Sequence, residues 1–172
     1  ARKQNNSNYS SVDDDAFAPV GRAGAPTNGQ SQRLNGLLVD LSSLDENRRK
    51  KACASLCNIF SSFDGSTSSE VIAKYATLEL ISKLGVRLSD SNNTIQLMAA
   101  ATLRNMASCG DDQVAQHMAN ADIMSTMTAM FTSVFQSCRG GDINNFGLLV
   151  TPNAPLLEQL IATICNIWYV FK

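Results

Sequence analysis

Three asparagines, Asn58, Asn105 and Asn166, sit in near copies of one apolar phrase, LCNI, LRNM and ICNI, and each follows an alanine by four residues: Ala54, Ala101 and Ala162. A side-chain amide offers two N–H donors and a carbonyl acceptor, so a ladder of asparagines can pair with the main chain of an extended peptide whatever its side chains. The chemistry on offer is recognition rather than bond making. Residues seven and four positions before each asparagine share its side of a helix. This gives three rows: Lys51, Ala54 and Asn58; Met98, Ala101 and Asn105; Gln159, Ala162 and Asn166. Arg104 stands beside the second row. A second reading stays open: each asparagine only ties its helix to a neighbour, because a half-buried amide must find a partner in either case.

Bond-making chemistry has no comparable constellation. His117 is the sole histidine, no cysteine or serine stands where a helix would bring it to that ring, and no phosphate loop or metal-ligand spacing occurs. A non-enzymatic chain without metal or cofactor is expected, with His117 an ordinary residue of a short helix. The five cysteines, an odd number with no C-x-x-C, lie mostly in apolar helical runs and read as buried small hydrophobes in a reducing compartment. A net charge of -1 gives no general field for nucleic acid or an anionic membrane. No apolar stretch approaches the ~18 residues of a membrane span, and the amino end lacks the apolar core of a secretory signal. Neither nucleic acid nor membrane is an expected partner.

The elements that must carry these rows follow from composition and periodicity. The 172 residues are 44% hydrophobic but only 6% aromatic, which favours helices packed through small and flexible side chains. Residues 1–32 hold Asn, Ser, Gly, Pro and Asp without apolar period and are expected to be a disordered, removable tail. From Leu34 the spacing turns helical: Leu34, Leu37, Leu38 and Leu41 share a face, ending near Leu44, and Asp45, Glu46 and Asn47 supply acceptors for the next helix. That helix carries Ala52, Leu56, Ile59 and Phe63 as its core stripe, with Arg48 to Lys51 read as a solvated basic face. Thr67 to Glu70 reads as a capping box opening a short helix. A longer helix with Leu78, Ile81, Leu84 and Leu88 inward follows, and then the central one with Ile95, Ala99, Thr102, Leu103 and Met106 inward. Gly110 stops it. Asp111 and Asp112 start another short helix, and Ile123, Met127, Met130, Phe131 and Val134 stripe the next. Residues 138–153 read as a polar insertion. Asn153 then opens a last helix with Leu160, Ile164, Ile167 and Phe171 inward. Asn58 and Asn105 lie 47 positions apart, within the period of about 40–47 residues of helical arrays. Asn166 lies a further 61 on, which leaves room for the insertion.

The run AAATLRNMASCG, residues 99–110, resembles the third helix of an armadillo repeat, with its A-x-A-L-x-N-[IL]-A pattern. The order of ATLRNMASCG, DIMSTMTAMF, a polar insertion and a helix containing ICNIW is similar to the amino-terminal armadillo region of the symportin family, also called HEAT repeat-containing protein 3. The likeness covers about residues 34–170. It implies an all-α, right-handed armadillo/HEAT-type superhelical solenoid fragment of about two and a half repeats over residues 33–172, truncated at the carboxy end. It also implies a function: an adaptor and chaperone that carries newly made 5S-particle ribosomal proteins, the uL18 and uL5 type, into the nucleus with a nuclear transport receptor. The setting would be cytoplasm and nucleus, and the three rows with Arg104 would line the concave cargo face. Armadillo adaptors that read basic signals have Trp where Ala54, Ala101 and Ala162 stand, so slots for lysine stems are not expected here. The family's basic import signal followed by Pro-Tyr is not visible. A general armadillo scaffold for another extended peptide, whether in signalling, the cytoskeleton or an enzyme complex, is the alternative. Trp168 is expected to pack against a following repeat.

Overall fold

The structure, a computed structural model, describes residues 28–61, 72, 75–108, 111–139 and 154–170. Among these residues the regular structure is all helical, with turns between the helices and no strand. Seven helices are delimited: α1 (Asn28–Leu41), α2 (Glu46–Ser61), α3 (Leu78–Arg87), α4 (Asn93–Ala107), α5 (Asp112–Asn120), α6 (Ile123–Arg139) and α7 (Ala154–Val170). None of the described helices is long and apolar enough to cross a membrane.

Polar side chains start the helices by accepting from amides that a first turn leaves unbonded. Asp45 accepts from the Asn47 amide at 2.8 Å, as its place after Leu44 suggests. Thr77 caps α3 through the Leu80 amide at 3.3 Å. Asn92 caps α4 through Thr94 and Ile95, at 2.9 and 3.3 Å, and Asp111 caps α5 through Gln113 and Val114, at 2.9 and 3.1 Å. The polar run before α4 and the aspartate pair before α5 are legible as starts, and the structure places both where the sequence has them.

The packing has two rows. Helices α2, α4 and α7 lie side by side, and α1, α3 and α6 form a second row against them. Short α5 bridges α3, α6 and α7. α4 is the centre: Ile95, Ala99, Thr102, Leu103 and Met106 are buried as expected, and so are Ala100 and Ala107. A helix flanked on both sides buries more than one stripe.

Several boundaries and faces differ from the expectation. α1 opens at Asn28, so residues 28–32 are helical rather than tail; once the Leu34–Leu41 face is packed, each added turn extends the ladder without a new nucleus. The helix stops at Leu41, short of Leu44, where Ser42 and Ser43 turn back on Val39 and Asp40 at 3.1 Å each and leave Leu44 exposed. α2 buries Ala52, Cys53, Leu56 and Phe60, with Ile59 only half-buried. α3 turns Leu80, Ile81, Leu84 and Leu88 inward, while Leu78, its first residue, stays at the rim with 40% exposure. On α6, Ile123 and Met127 are buried, with Met130 and Phe131 at the margin; on α7, Leu156, Leu160, Thr163 and Ile167 are buried, and Ile164 is half-buried. α6 runs to Arg139 and takes the first two residues of the expected insertion. The rest of that insertion, residues 1–27, the capping box at 67–70, Phe63, Gly110, Asn153, Phe171 and the side chain of Val134 lie outside the described residues.

Candidate functional site

The three asparagines arrive on the three helices of one row, α2, α4 and α7. The row is aligned by equivalent local chemistry. Thr102 and Thr163, each three residues before its asparagine, are buried and donate to the carbonyls of Met98 and Gln159, both at 2.7 Å. Each buried hydroxyl thus donates within its own helix. After the asparagine, Ser61 donates to the Asn58 carbonyl at 3.1 Å and Ser108 to the Asn105 carbonyl at 2.8 Å, closing the last turns of α2 and α4.

Each row lies on a face that is not buried. Asn58 and Lys51 are exposed, and Ala54, Met98, Ala101, Asn105, Gln159, Ala162 and Asn166 are half-buried. Among the described residues, no group pairs with the side-chain amides of Asn58, Asn105 or Asn166; the side-chain bonds to this set go to the main-chain carbonyls of Asn58 and Asn105. The second and third rows are joined by one bond, from Arg104 Nη1 to Gln159 Oε1 at 3.1 Å. Among the described residues, no such bond joins the first row to the second.

A charged cluster that local sequence did not reveal fixes α2 against α4. The basic run at 48–51 is not a uniform solvated face. Arg48 pairs with Asp40, Lys50 and Lys51 are exposed, but Arg49 turns inward. Its Nε lies 2.8 Å from Asp90 Oδ2 and its Nη2 3.2 Å from Oδ1, while Nη1 donates to the carbonyls of Ser43 and Leu44 at 3.2 and 2.9 Å. Arg87 adds a bond to Asp90 Oδ2 at 2.9 Å, and the Asn92 amide one to Oδ1 at 3.1 Å. The Asp90 side chain is 1% exposed. Burial pushes its carboxyl up, but the bonds from Arg49 and the Asn92 amide, with both arginine charges, outweigh this and hold it below its ordinary value. The bond it donates to Asp90 raises Arg49 in turn. The only sequence signals are an arginine among cations and an aspartate in a polar loop 41 residues later, which no local period connects.

The other candidate groups have structural surroundings. His117 is half-buried with Nδ1 3.0 Å from the Ala76 carbonyl. A carbonyl only accepts, so Nδ1 carries the proton. Cys53 is fully buried and burial pushes its thiol up to about 12, which makes it a poor nucleophile. Cys57, half-buried, is also raised by burial, against a lowering bond with Thr102. Cys165 departs from the expectation of buried cysteines: it sits on the open side of α7. Trp168 is likewise 71% exposed, and no described residue covers it. A shallow hollow along α6 is lined by Met124, Ser125, Thr128, Ala129, Thr132 and Ser133, hydroxyls without a titratable group. No family model, characterised protein or solved structure matches the chain.

Proposed function

We propose that residues 33–172 are a protein-binding segment of a right-handed armadillo/HEAT-type solenoid, and that the α2–α4–α7 row is its concave, ligand-facing side. One observation carries the reading: three equivalent asparagines on three adjacent helices keep their side-chain amides unpaired and accessible among the described residues. Unpaired, regularly placed donors and acceptors suit the main chain of an extended segment, which repeats its own N–H and C=O groups. The resemblance of residues 34–170 to the symportin family makes the ligand a 5S-particle ribosomal protein of the uL18 or uL5 type, carried with a nuclear transport receptor between cytoplasm and nucleus. In this role the chain binds and does not catalyse.

Charge favours a second reading of the same groove. Its rows contain Lys51 and Arg104 and no carboxylate, which does not suit a lysine-rich cargo surface. An armadillo scaffold gripping a different extended segment, one of acidic or neutral composition, fits these side chains better. A binding titration separates the two. A purified ribosomal protein of the stated type and an acidic peptide of similar length are each titrated against the chain, and against a variant with Asn58, Asn105 and Asn166 all changed to alanine. Each lost main-chain pair costs about 1 kcal/mol, so the true ligand binds the triple variant on the order of a hundredfold more weakly, with unchanged salt dependence. Failure of the ribosomal protein to bind removes the cargo assignment. Equal affinity of parent and triple variant for the bound ligand removes the asparagine ladder as the site.

A further inference from the structure

The turn between α1 and α2 carries polar groups that neither the core nor the asparagine rows use. Ser42, the first residue after α1, is exposed, and its Oγ accepts from the Nζ of half-buried Lys83 on α3, 41 residues away, at 2.8 Å. The hydroxyl itself donates only at 3.4 Å, to the Leu38 carbonyl. The one ion pair of Lys83 among the described residues is loose, with exposed Glu79 at 3.9 Å, so its ammonium has capacity for a closer anion. Ser43 is engaged instead: it is half-buried, its Oγ accepts from the Asp45 amide at 3.1 Å, and its carbonyl accepts from Arg49 at 3.2 Å. Beyond it Leu44 is wholly exposed, and Asp45 and Glu46, three and four residues after Ser42, are exposed carboxylates. Residues 42–45 belong to neither helix.

We propose that Ser42 is a phosphorylation site, modified by a protein kinase that reads carboxylates on the carboxy-terminal side of its target, and that Lys83 receives the phosphate. In the transfer, Ser42 Oγ bonds to the terminal phosphorus of a nucleoside triphosphate and the bond from that phosphorus to its bridging oxygen breaks. The diphosphate leaves, and the hydroxyl proton passes to the kinase's base. Kinases select targets partly by charge pattern, which Asp45 and Glu46 supply here, and exposure selects Ser42 over Ser43. The product adds about 1.5 to 2 negative charges at neutral pH. Two effects then oppose each other. The carboxy end of α1 disfavours a dianion, while Asp40 nearby is already matched by Arg48. Lys83, within hydrogen-bond reach of Oγ before any modification, favours it through a charge-assisted bond. The phosphate therefore ties the end of α1 to α3, and the tie depends on Lys83.

The full chain is incubated with magnesium, adenosine triphosphate and a purified acid-directed serine kinase, and phosphate is mapped by tandem mass spectrometry. Phosphate on Ser42 is expected, absent from Ser42→Ala. Asp45→Asn combined with Glu46→Gln slows its incorporation tenfold or more. Helix content is checked by circular dichroism, and Glu46→Gln alone serves if loss of the Asp45 cap disturbs α2. Lys83 is tested by the second ionisation of the phosphate, read by phosphorus NMR. Its midpoint lies lower in the parent than in Lys83→Gln, by about half a pH unit for an exposed pair. A synthetic peptide of residues 38–49 is the reference substrate. A chain left unmodified at Ser42 overturns the proposal: if the peptide accepts phosphate, the fold withholds the serine, and if it does not, the charge pattern is not read. Preferential phosphate on Ser43 overturns it too. Equal midpoints in the parent and Lys83→Gln remove Lys83 as the receiving cation.

Discussion

Asp90 is the side chain on which α2, α3 and α4 converge, and its chemistry sets the acid response of the protein. Asp90→Asn removes the charge that Arg49 and Arg87 share and turns one of the two acceptor oxygens into a donor, and a loss of about 2 kcal/mol at pH 7 is expected from urea midpoints. The pH dependence has a definite sign. The carboxyl is held below its ordinary value in the fold, so its contribution is complete above the unfolded value near 4 and is lost as pH falls through the lower folded value. Parent and variant should therefore differ at pH 7 and converge below about pH 4; a constant gap from pH 7 to 3 would count against the assignment. The cysteines give a second residue-scale expectation. Cys165 reacts with a maleimide in the native state, whereas Cys53, buried and with its thiol pushed up to about 12, reacts only on unfolding, as site-resolved mass spectrometry would show. Of these groups the sequence identifies the cysteines as apolar packers, which holds for Cys53. It cannot separate Arg49 from the cations beside it, because what turns that side chain inward is a loop in the next helical pair.

At the scale of helices, α3 and α6 meet with little clearance. A Cβ added to Gly85 would sit 2.7 Å from Ile123 Cδ1, the far end of a fully buried side chain. Gly85→Ala gains up to about 1 kcal/mol of helix propensity, which displacement of that methyl offsets. Removing the methyl with Ile123→Val should release the gain. Gly85→Ala should thus be more favourable in the valine background by about 1 kcal/mol, a coupling that thermal denaturation of the double-mutant cycle measures. Additive effects would mean that Ile123 moves aside at no cost. The helices themselves are largely legible in the sequence, since their starts are polar caps and their faces apolar stripes; the contact between Gly85 and Ile123 is not. Ile164 makes the same point. Its apolar position in ICNI matches Leu103, yet burial requires a neighbour on that side, and α7 has none among the described residues.

Over the whole molecule, the question is whether the asparagines hold the row together or are kept for a ligand. Their side-chain amides pair with no described residue, and alanine is the better helix former. Changing Asn58, Asn105 and Asn166 to alanine should leave thermal stability within about 0.5 kcal/mol per site, or raise it slightly. A cooperative loss of several kcal/mol would instead make the ladder a structural tie and remove the basis of the binding reading. The bond between Arg104 and Gln159 is the tie that does cross between α4 and α7, and it is partly buried.

The sequence by itself determined that the described chain is helical, where α4 and α5 begin, and that three equivalent helices carry an asparagine at a common position. These properties are local: a cap bonds within three residues, and a stripe repeats every turn. Tertiary structure alone decided which helices became neighbours, that Arg49 and Asp90 meet, that Phe60 rather than Ile59 is buried, and that the face of α7 stays open. Such outcomes depend on which surface lies opposite, and residues distant in sequence supply that surface.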